Sequence, residues 1–303
     1  MMIRCKAYPR AGLIGNPSDG YHGRTLSFTF DNFFAEALLF PSAELELLPG
    51  PRDRMVFRDL EGLSESITRY GYYGGIRLVE AALKRFYDYT CNTGVELEKK
   101  NFSLRYYTNI PPHVGMAGSS AIITACFRAL MQFYRVDIPK PLLANLILSA
   151  EKDELGISAG LQDRVAQVYQ GLIYMDFDRE VMEQQGWGIY EPLPPELLPP
   201  LYVAYRTDLA ESSDVFHNDI RSRFNRGEAE VVDAMKFWAE LTVRARAALL
   251  AGRTDELAEL INANFDRRRK IYSIHPNNIA MAEAARSVGA SSKFTGSGGA
   301  IIG

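Results

Sequence analysis

Residues 110–135, IPPHVGMAGSSAIITACFRALMQFYR, gather the groups best suited to hold a phosphate chain. Pro111 and Pro112 exclude helix at the start, Gly115 and Gly118 permit close backbone approach or positive φ, and Ser119 and Ser120 open an apolar run. A helix start offers unpaired N–H groups and the positive end of a macrodipole. Gly115, Met116, Ala117 and Gly118, leading into Ser119 and Ser120, can therefore wrap nucleotide phosphates. The hydroxyls could also coordinate Mg²⁺, which prefers hard oxygens and keeps several waters. No lysine follows as the P-loop pattern GxxxxGK[ST] requires. The same residues equally suit a serine-capped helix after a glycine turn, so the segment alone leaves both readings open.

Two further stretches of small residues lie far away, residues 12–23 and 296–299. Three such loops of different polar content suggest a composite pocket for a phosphorylated ligand and its acceptor, provided that they converge in space. Against that stand the classes the composition excludes. A formal net charge of −3 supplies no global basic field for nucleic acid or anionic membrane. Cys5, Cys91 and Cys126 are too few and too scattered for a disulfide framework, which fits a reducing, cytoplasmic setting. The four histidines show no paired ligand spacing. No run approaches the ~20 apolar residues that span a bilayer, so neither membrane nor nucleic acid is an expected partner.

The elements that must position these loops can be read in order. Residues 3–8 begin as a strand, then pass into a sharp loop rich in turn formers that ends near Gly23. Residues 25–30, 35–40 and 44–48 read as antiparallel strands, 63–70 and 74–89 as helices, and 102–108 as the strand feeding the central loop. Helix is expected over 142–151 and 161–169, and strand over 171–177 and 201–206. Residues 214–224, 228–251, 254–271 and 276–288 are helical, before a strand at 293–295. Composition shifts at 179–200, giving a domain boundary: 1–180, a linker at 181–200, and 201–303.

PRAGLIGNPSDGYHG, IPPHVGMAGSSA and KFTGSGGA, in this order and spacing, resemble the three motifs of the GHMP small-molecule kinases. KAYPRAGLIGNPSD, GYYGGIRL, NFSLRYYTNIP and SAEKDELGISAGLQDRVAQVYQGL resemble the glucuronokinase branch. The resemblance implies a two-domain α+β fold, with an N-terminal domain like domain 2 of ribosomal protein S5 and a ferredoxin-like C-terminal domain. It implies ATP as co-substrate, Mg²⁺ as cofactor, and transfer of the γ-phosphate to the anomeric hydroxyl of a sugar, with D-glucuronate first. A neutral-sugar kinase of the same family, or a non-catalytic sugar or nucleotide sensor on this fold, are the alternatives. Family members continue past the third motif whereas this sequence stops at Gly303, which leaves two readings open, a truncated sequence or an incomplete C-terminal domain.

Residue by residue, the resemblance assigns Asp163 to the acceptor hydroxyl, where a carboxylate can take its proton, and Arg10 to the reacting groups, where a guanidinium can offset phosphoryl charge. It assigns Ser120 and Glu151 to Mg²⁺, Asp19 to the sugar hydroxyls, and Gly296, Ser297 and Gly298 to the substrate side of the pocket. Asn16 and Pro17 stand where the galactokinase branch has an acidic residue and a histidine, which argues against galactose. A uronic acid needs a cation, and Arg24, Arg77 and Arg105 lie in or beside the matching strings.

Overall fold

The computed structural model describes residues 2–50, 53, 56–64, 74–207 and 213–303. Its strands are β1 (Ile3–Ala7), β2 (Arg10–Ile14), β3 (Arg24–Thr29), β4 (Ala35–Ser42), β5 (Glu46–Leu48), β6 (Asn101–Thr108), β7 (Leu172–Asp176), β8 (Ile189–Leu193), β9 (Val203–Tyr205), β10 (Lys293–Phe294) and β11 (Ala300–Ile302). The α-helices are α1 (Gly75–Thr93), α2 (Gly118–Tyr134), α3 (Lys140–Ser149), α4 (Leu161–Tyr169), α5 (Arg179–Gln185), α6 (Ser213–Asn225), α7 (Ala229–Leu250), α8 (Thr254–Ile271) and α9 (Pro276–Ser287). Most of the helix expected at 63–70 lies outside the described residues. The chain divides into two compact units, each assembled from discontinuous segments.

The first unit comprises Met1–Pro9, Asp31–Ile110 and Gly118–Ala159. Its sheet runs β1-β4-β6-β5, antiparallel except for β5 beside β6, with Ile3 opposite Leu39 and Leu39 opposite Leu104. The period-two alternation of β6 explains its orientation. Phe102, Leu104 and Tyr106 are buried, whereas Arg105 and Tyr107 face outward. Helix α2 packs on β1, β4 and α1, and it is apolar almost all round because nearly every side is covered. Phe86 and Phe127 meet edge to face in this core, each worth roughly 2–3 kcal/mol of burial. Gly94, with φ of 69°, stops α1 in the left-handed conformation glycine takes without cost. Beyond α3 the helix widens to a π-helical stretch at Ala150–Glu154, which carries Glu151.

The second unit comprises Arg10–Phe30, Pro111–Ala117 and Gly160–Gly303. Its larger sheet is antiparallel in the order β2-β3-β7-β8. Strand β2 falls where a loop was expected, and it is buried along its whole length. Turn-forming residues mask it in the sequence, but Ala11, Leu13 and Ile14 reach the core, and Gly12 is required by crowding. A Cβ there would come within 2.9 Å of Gln162 Nε2 and Thr295 O. Helices α7 and α8 cover this sheet around Leu26, Trp238, Leu241 and Ile261. Residues 181–200 carry most of α5, all of β8 and a 3₁₀ turn, and Leu193 pairs with Leu172 in the sheet. A second antiparallel sheet, β10-β11-β9, shelters Phe265, Phe294 and Ile301. Strand β11 has only three residues after a run of glycines, too short for periodicity to announce it.

Candidate active site

The loop at 111–117 owes its shape to alternating handedness. His113, Gly115 and Ala117 have φ of 58°, 68° and 60°, an alternation that turns successive N–H groups to one side. At Gly115 the requirement for glycine is double, since an added Cβ would also meet Ser297 N at 2.9 Å and Gly298 O at 3.0 Å. The loop's carbonyls are engaged inside the unit. Gly115 O accepts from Arg10 Nη1 at 3.3 Å and Thr295 Oγ1 at 3.2 Å, Met116 O from the Arg10 amide at 3.1 Å, and Ala117 O from Gln167 Nε2 at 2.8 Å. In a trans peptide the next N–H points opposite to the carbonyl, so the Met116 and Ala117 amides are directed away from these partners. That is the arrangement that receives an anion.

Arg10 ends the same network. Its side chain is nearly buried, and Nη2 donates to Asp163 Oδ1 at 2.5 Å while Nη1 also donates to Thr295 O. Asp163 stands in the first turn of α4, and Arg164 Nη1 lies 3.4 Å from its other oxygen. The carboxylate is thus gripped from two sides by planar forks that fix its orientation. Asp19, in the 3₁₀ turn Ser18–Tyr21, lies within electrostatic reach of both Asp163 and Arg10. Burial chiefly, then the Asp163 charge, pushes the Asp19 carboxyl up to about 6, against the opposing pull of Arg10. Gly160 makes room for it, because a Cβ there would sit 2.6 Å from Asp19 Oδ2.

Two buried cations that sequence reasoning did not single out support the glycine-rich loops, Arg268 at 296–297 and Lys293 at Gly12 and Asn16. Arg268 donates to Gly296 O at 2.8 Å and Ser297 O at 3.1 Å. Lys293 Nζ donates to Gly12 O at 2.5 Å, Asn16 Oδ1 at 2.6 Å and Phe294 O at 2.8 Å. Desolvation lowers the pKa of both, and for Lys293 the Arg268 and Arg10 charges add to it. Asn264 completes the support of the first loop, accepting from Gly15 N at 2.8 Å and donating to Asn16 O at 3.3 Å. Lys293 opens the string KFTGSGGA and so lay inside a noted motif. Arg268, within the basic run at 267–270, carried no signal separating it from a solvated helix end.

Ser119, Ser120 and Glu151 belong to the first unit. Ser119 Oγ donates to Glu151 Oε1 at 2.6 Å, and Glu151 is fully buried. Ser120, paired with Glu151 in the sequence reading, is also fully buried, and its carbonyl accepts from Thr124 Oγ1. A hydroxyl beside a buried carboxylate makes the hard-oxygen pair that Mg²⁺ takes from a protein when phosphates and waters fill its other positions, so these residues fit the ion.

Of the three arginines considered for a carboxylate, Arg24 pairs with Asp176 at 2.6 Å, and Arg105 and Arg77 are exposed in the first unit. No helix among the described residues is long and apolar enough to cross a membrane.

Residues 77–171 match the GHMP kinases N terminal domain. Glucuronokinase 1 of Arabidopsis thaliana is 45% identical over 99% of this chain and 84% of its own length. Probable glucuronokinase 2 of the same plant is 46% identical, covering 98% and 82%. The galactokinase of Lactococcus lactis in complex with galactose superposes with a TM-score of 0.75 at 18% identity, over 99% of this chain and 84% of that one, which is a likeness of fold. Identity at this level across nearly the whole length, joined to the family match over the central loop, means that the chain belongs to the GHMP kinases.

Proposed function

We propose that this protein is an ATP-dependent sugar kinase that transfers the γ-phosphate to the anomeric hydroxyl of D-glucuronate, giving glucuronate 1-phosphate and ADP. The observation that carries this reading is the Arg10–Asp163 pair, tied through Arg10 to the Gly115 and Thr295 carbonyls. It sets an oriented carboxylate within the unit that also holds two glycine-rich loops. The glucuronokinases of A. thaliana supply the substrate.

In this reading the amides of residues 115–120 hold the triphosphate. Asp163 aligns the anomeric hydroxyl and takes its proton as the new O–P bond forms and the bond to the β-phosphate oxygen breaks. Arg10 holds Asp163 in place and offsets charge spreading over the transferred group. Asp19 accepts hydrogen bonds from sugar hydroxyls, and Gly296, Ser297 and Gly298 border the sugar without side chains large enough to block it. Ser120 and Glu151 were the metal pair expected from sequence; the Ser119–Glu151 contact adds Ser119 to that set. Mg²⁺, when bound, neutralises phosphate charge. Rate enhancement of this kind comes mainly from alignment and charge complementarity, and the residues named supply both.

The test is a coupled ADP-release assay with Mg²⁺·ATP against glucuronate, galacturonate, glucose, galactose and mevalonate, with ³¹P NMR of the product. The reading requires glucuronate to give the highest kcat/KM and an anomeric phosphate. No ADP release with any sugar, or clear preference for a neutral one, would overturn it.

A further inference from the structure

A uronic acid brings a permanent negative charge, and a site that selects it needs a fixed cation not already neutralised by a protein carboxylate. In the second unit Arg10 is committed to Asp163, Arg24 to Asp176, and Arg268 to the Gly296 and Ser297 carbonyls. Arg221, on α6, differs from all three. Its Nη1 donates to Gly20 O at 2.6 Å, and its guanidinium carbon lies 4.3 Å from the ring centroid of Tyr21. One hydrogen bond and one cation–π contact therefore hold the group against the turn that carries Asp19. A Cβ on Gly20 would come 3.0 Å from Nη2, so glycine admits this approach. Among the described residues no carboxylate pairs with Arg221, and most of its five N–H donors remain uncommitted.

The surroundings carry further unspent polarity. Among the described residues Tyr272 Oη is buried without a hydrogen-bond partner. Tyr21, Asp19 and Arg221 all act on it electrostatically, and Asp19 and Arg221 act together on Tyr21. Asp19 is thus within electrostatic reach of the Arg10–Asp163 pair, and Arg221 binds the carbonyl of Gly20, the residue that follows it. In a pyranuronic acid the carboxylate is borne on C5, next to the C4 hydroxyl. An acceptor for hydroxyls adjoining a donor for a carboxylate matches that neighbouring pair.

We propose that Arg221 is the residue that recognises the substrate carboxylate and sets the preference for a uronic acid over the corresponding neutral sugar. This rests on the assignment of a uronic acid substrate made above. The guanidinium meets the carboxylate in a charge-assisted, two-point contact, while Gly20 O and the Tyr21 ring keep it from following solvent.

Steady-state kinetics of wild type, Arg221→Met and Arg221→Lys, each with glucuronate, glucose and galactose, test it. Loss of a charge-assisted contact should raise the KM for glucuronate in Arg221→Met by about 30-fold or more and collapse the glucuronate-to-glucose ratio of kcat/KM. Arg221→Lys should recover part of that ratio, and the KM for ATP should stay within about twofold, as expected of a contact to the sugar alone. Arg221→Lys keeps a cation over Tyr21, so it also controls for damage to the turn, with the thermal midpoint read alongside. Wild type that prefers glucuronate, together with Arg221→Met that keeps the preference, would overturn the role of Arg221 and leave the substrate intact. Wild type without a uronate preference would instead overturn the substrate and the inference with it.

Discussion

Replacing Arg10 with methionine should damage this protein more than replacing its partner Asp163 with alanine, although the two make one ion pair. The Arg10 side chain is 6% accessible and that of Asp163 is 22%. Breaking a buried pair typically costs about 3–5 kcal/mol because one charge is stranded. Here that figure shrinks, since Asp163 retains some solvent and Arg164 Nη1 stands 3.4 Å away. About 2–3 kcal/mol remains. Arg10 also serves Thr295 O and Gly115 O, worth roughly 1 kcal/mol together because Gly115 O keeps the Thr295 hydroxyl as a second donor. The total for Arg10→Met is therefore about 3–4 kcal/mol. Asp163→Ala leaves Arg10 with both carbonyls and should cost only about 1–2 kcal/mol. Its penalty falls on chemistry instead, with kcat lower by two to four orders of magnitude, roughly, as for loss of a general base. The double variant should be more stable than the sum of the singles implies, because neither charge is left alone. Urea titration followed by the fluorescence of Trp238, buried in the same unit, reports the stability terms, and the coupled assay reports kcat. A loss below about 1 kcal/mol for Arg10→Met, with strict additivity in the double variant, would refute this accounting.

Three further outcomes follow from other parts of the site. Asp19 is held above the ordinary carboxylate value of 3.8, at about 6, so between those values the unfolded chain is ionised while the folded one keeps its proton. Its contribution to stability is full below pH ~4 and is lost as pH rises through ~6, at most about 3 kcal/mol. Sugar kcat/KM should fall as pH drops through about 6, and Asp19→Asn should flatten both profiles; an unchanged acid limb in that variant would exclude Asp19. Gly115→Ala forces a side chain onto φ of 68° and against Ser297 N, so it should lower stability by about 2 kcal/mol or more and raise the KM for ATP, measured by urea titration and kinetics. Glu151→Gln should raise the Mg²⁺ concentration giving half-maximal activity by roughly tenfold, and a metal titration that superposes on wild type would contradict the pairing.

Much of the framework was legible in the residues themselves. The alternation of β6, the apolar run of α2, the helix starting at Leu161 with Asp163 in its first turn, and the three small-residue segments all express local rules of period and backbone freedom. Strand β2 was not, because its turn-forming composition conceals a segment whose burial comes from packing. Tertiary structure alone decided the partnerships: Arg10 with Asp163 across 153 positions, Lys293 with Gly12 across 281, Arg268 beneath a distant glycine loop, and Ser119 against Glu151. A charged residue reads the same along the chain whether it is solvated, neutralised or left uncommitted. Sequence records the type of each group and its near neighbours. Whether Arg24 is already spent on Asp176, or Arg221 stands without a carboxylate among the described residues, is settled only when the chain brings distant segments together and excludes water from between them.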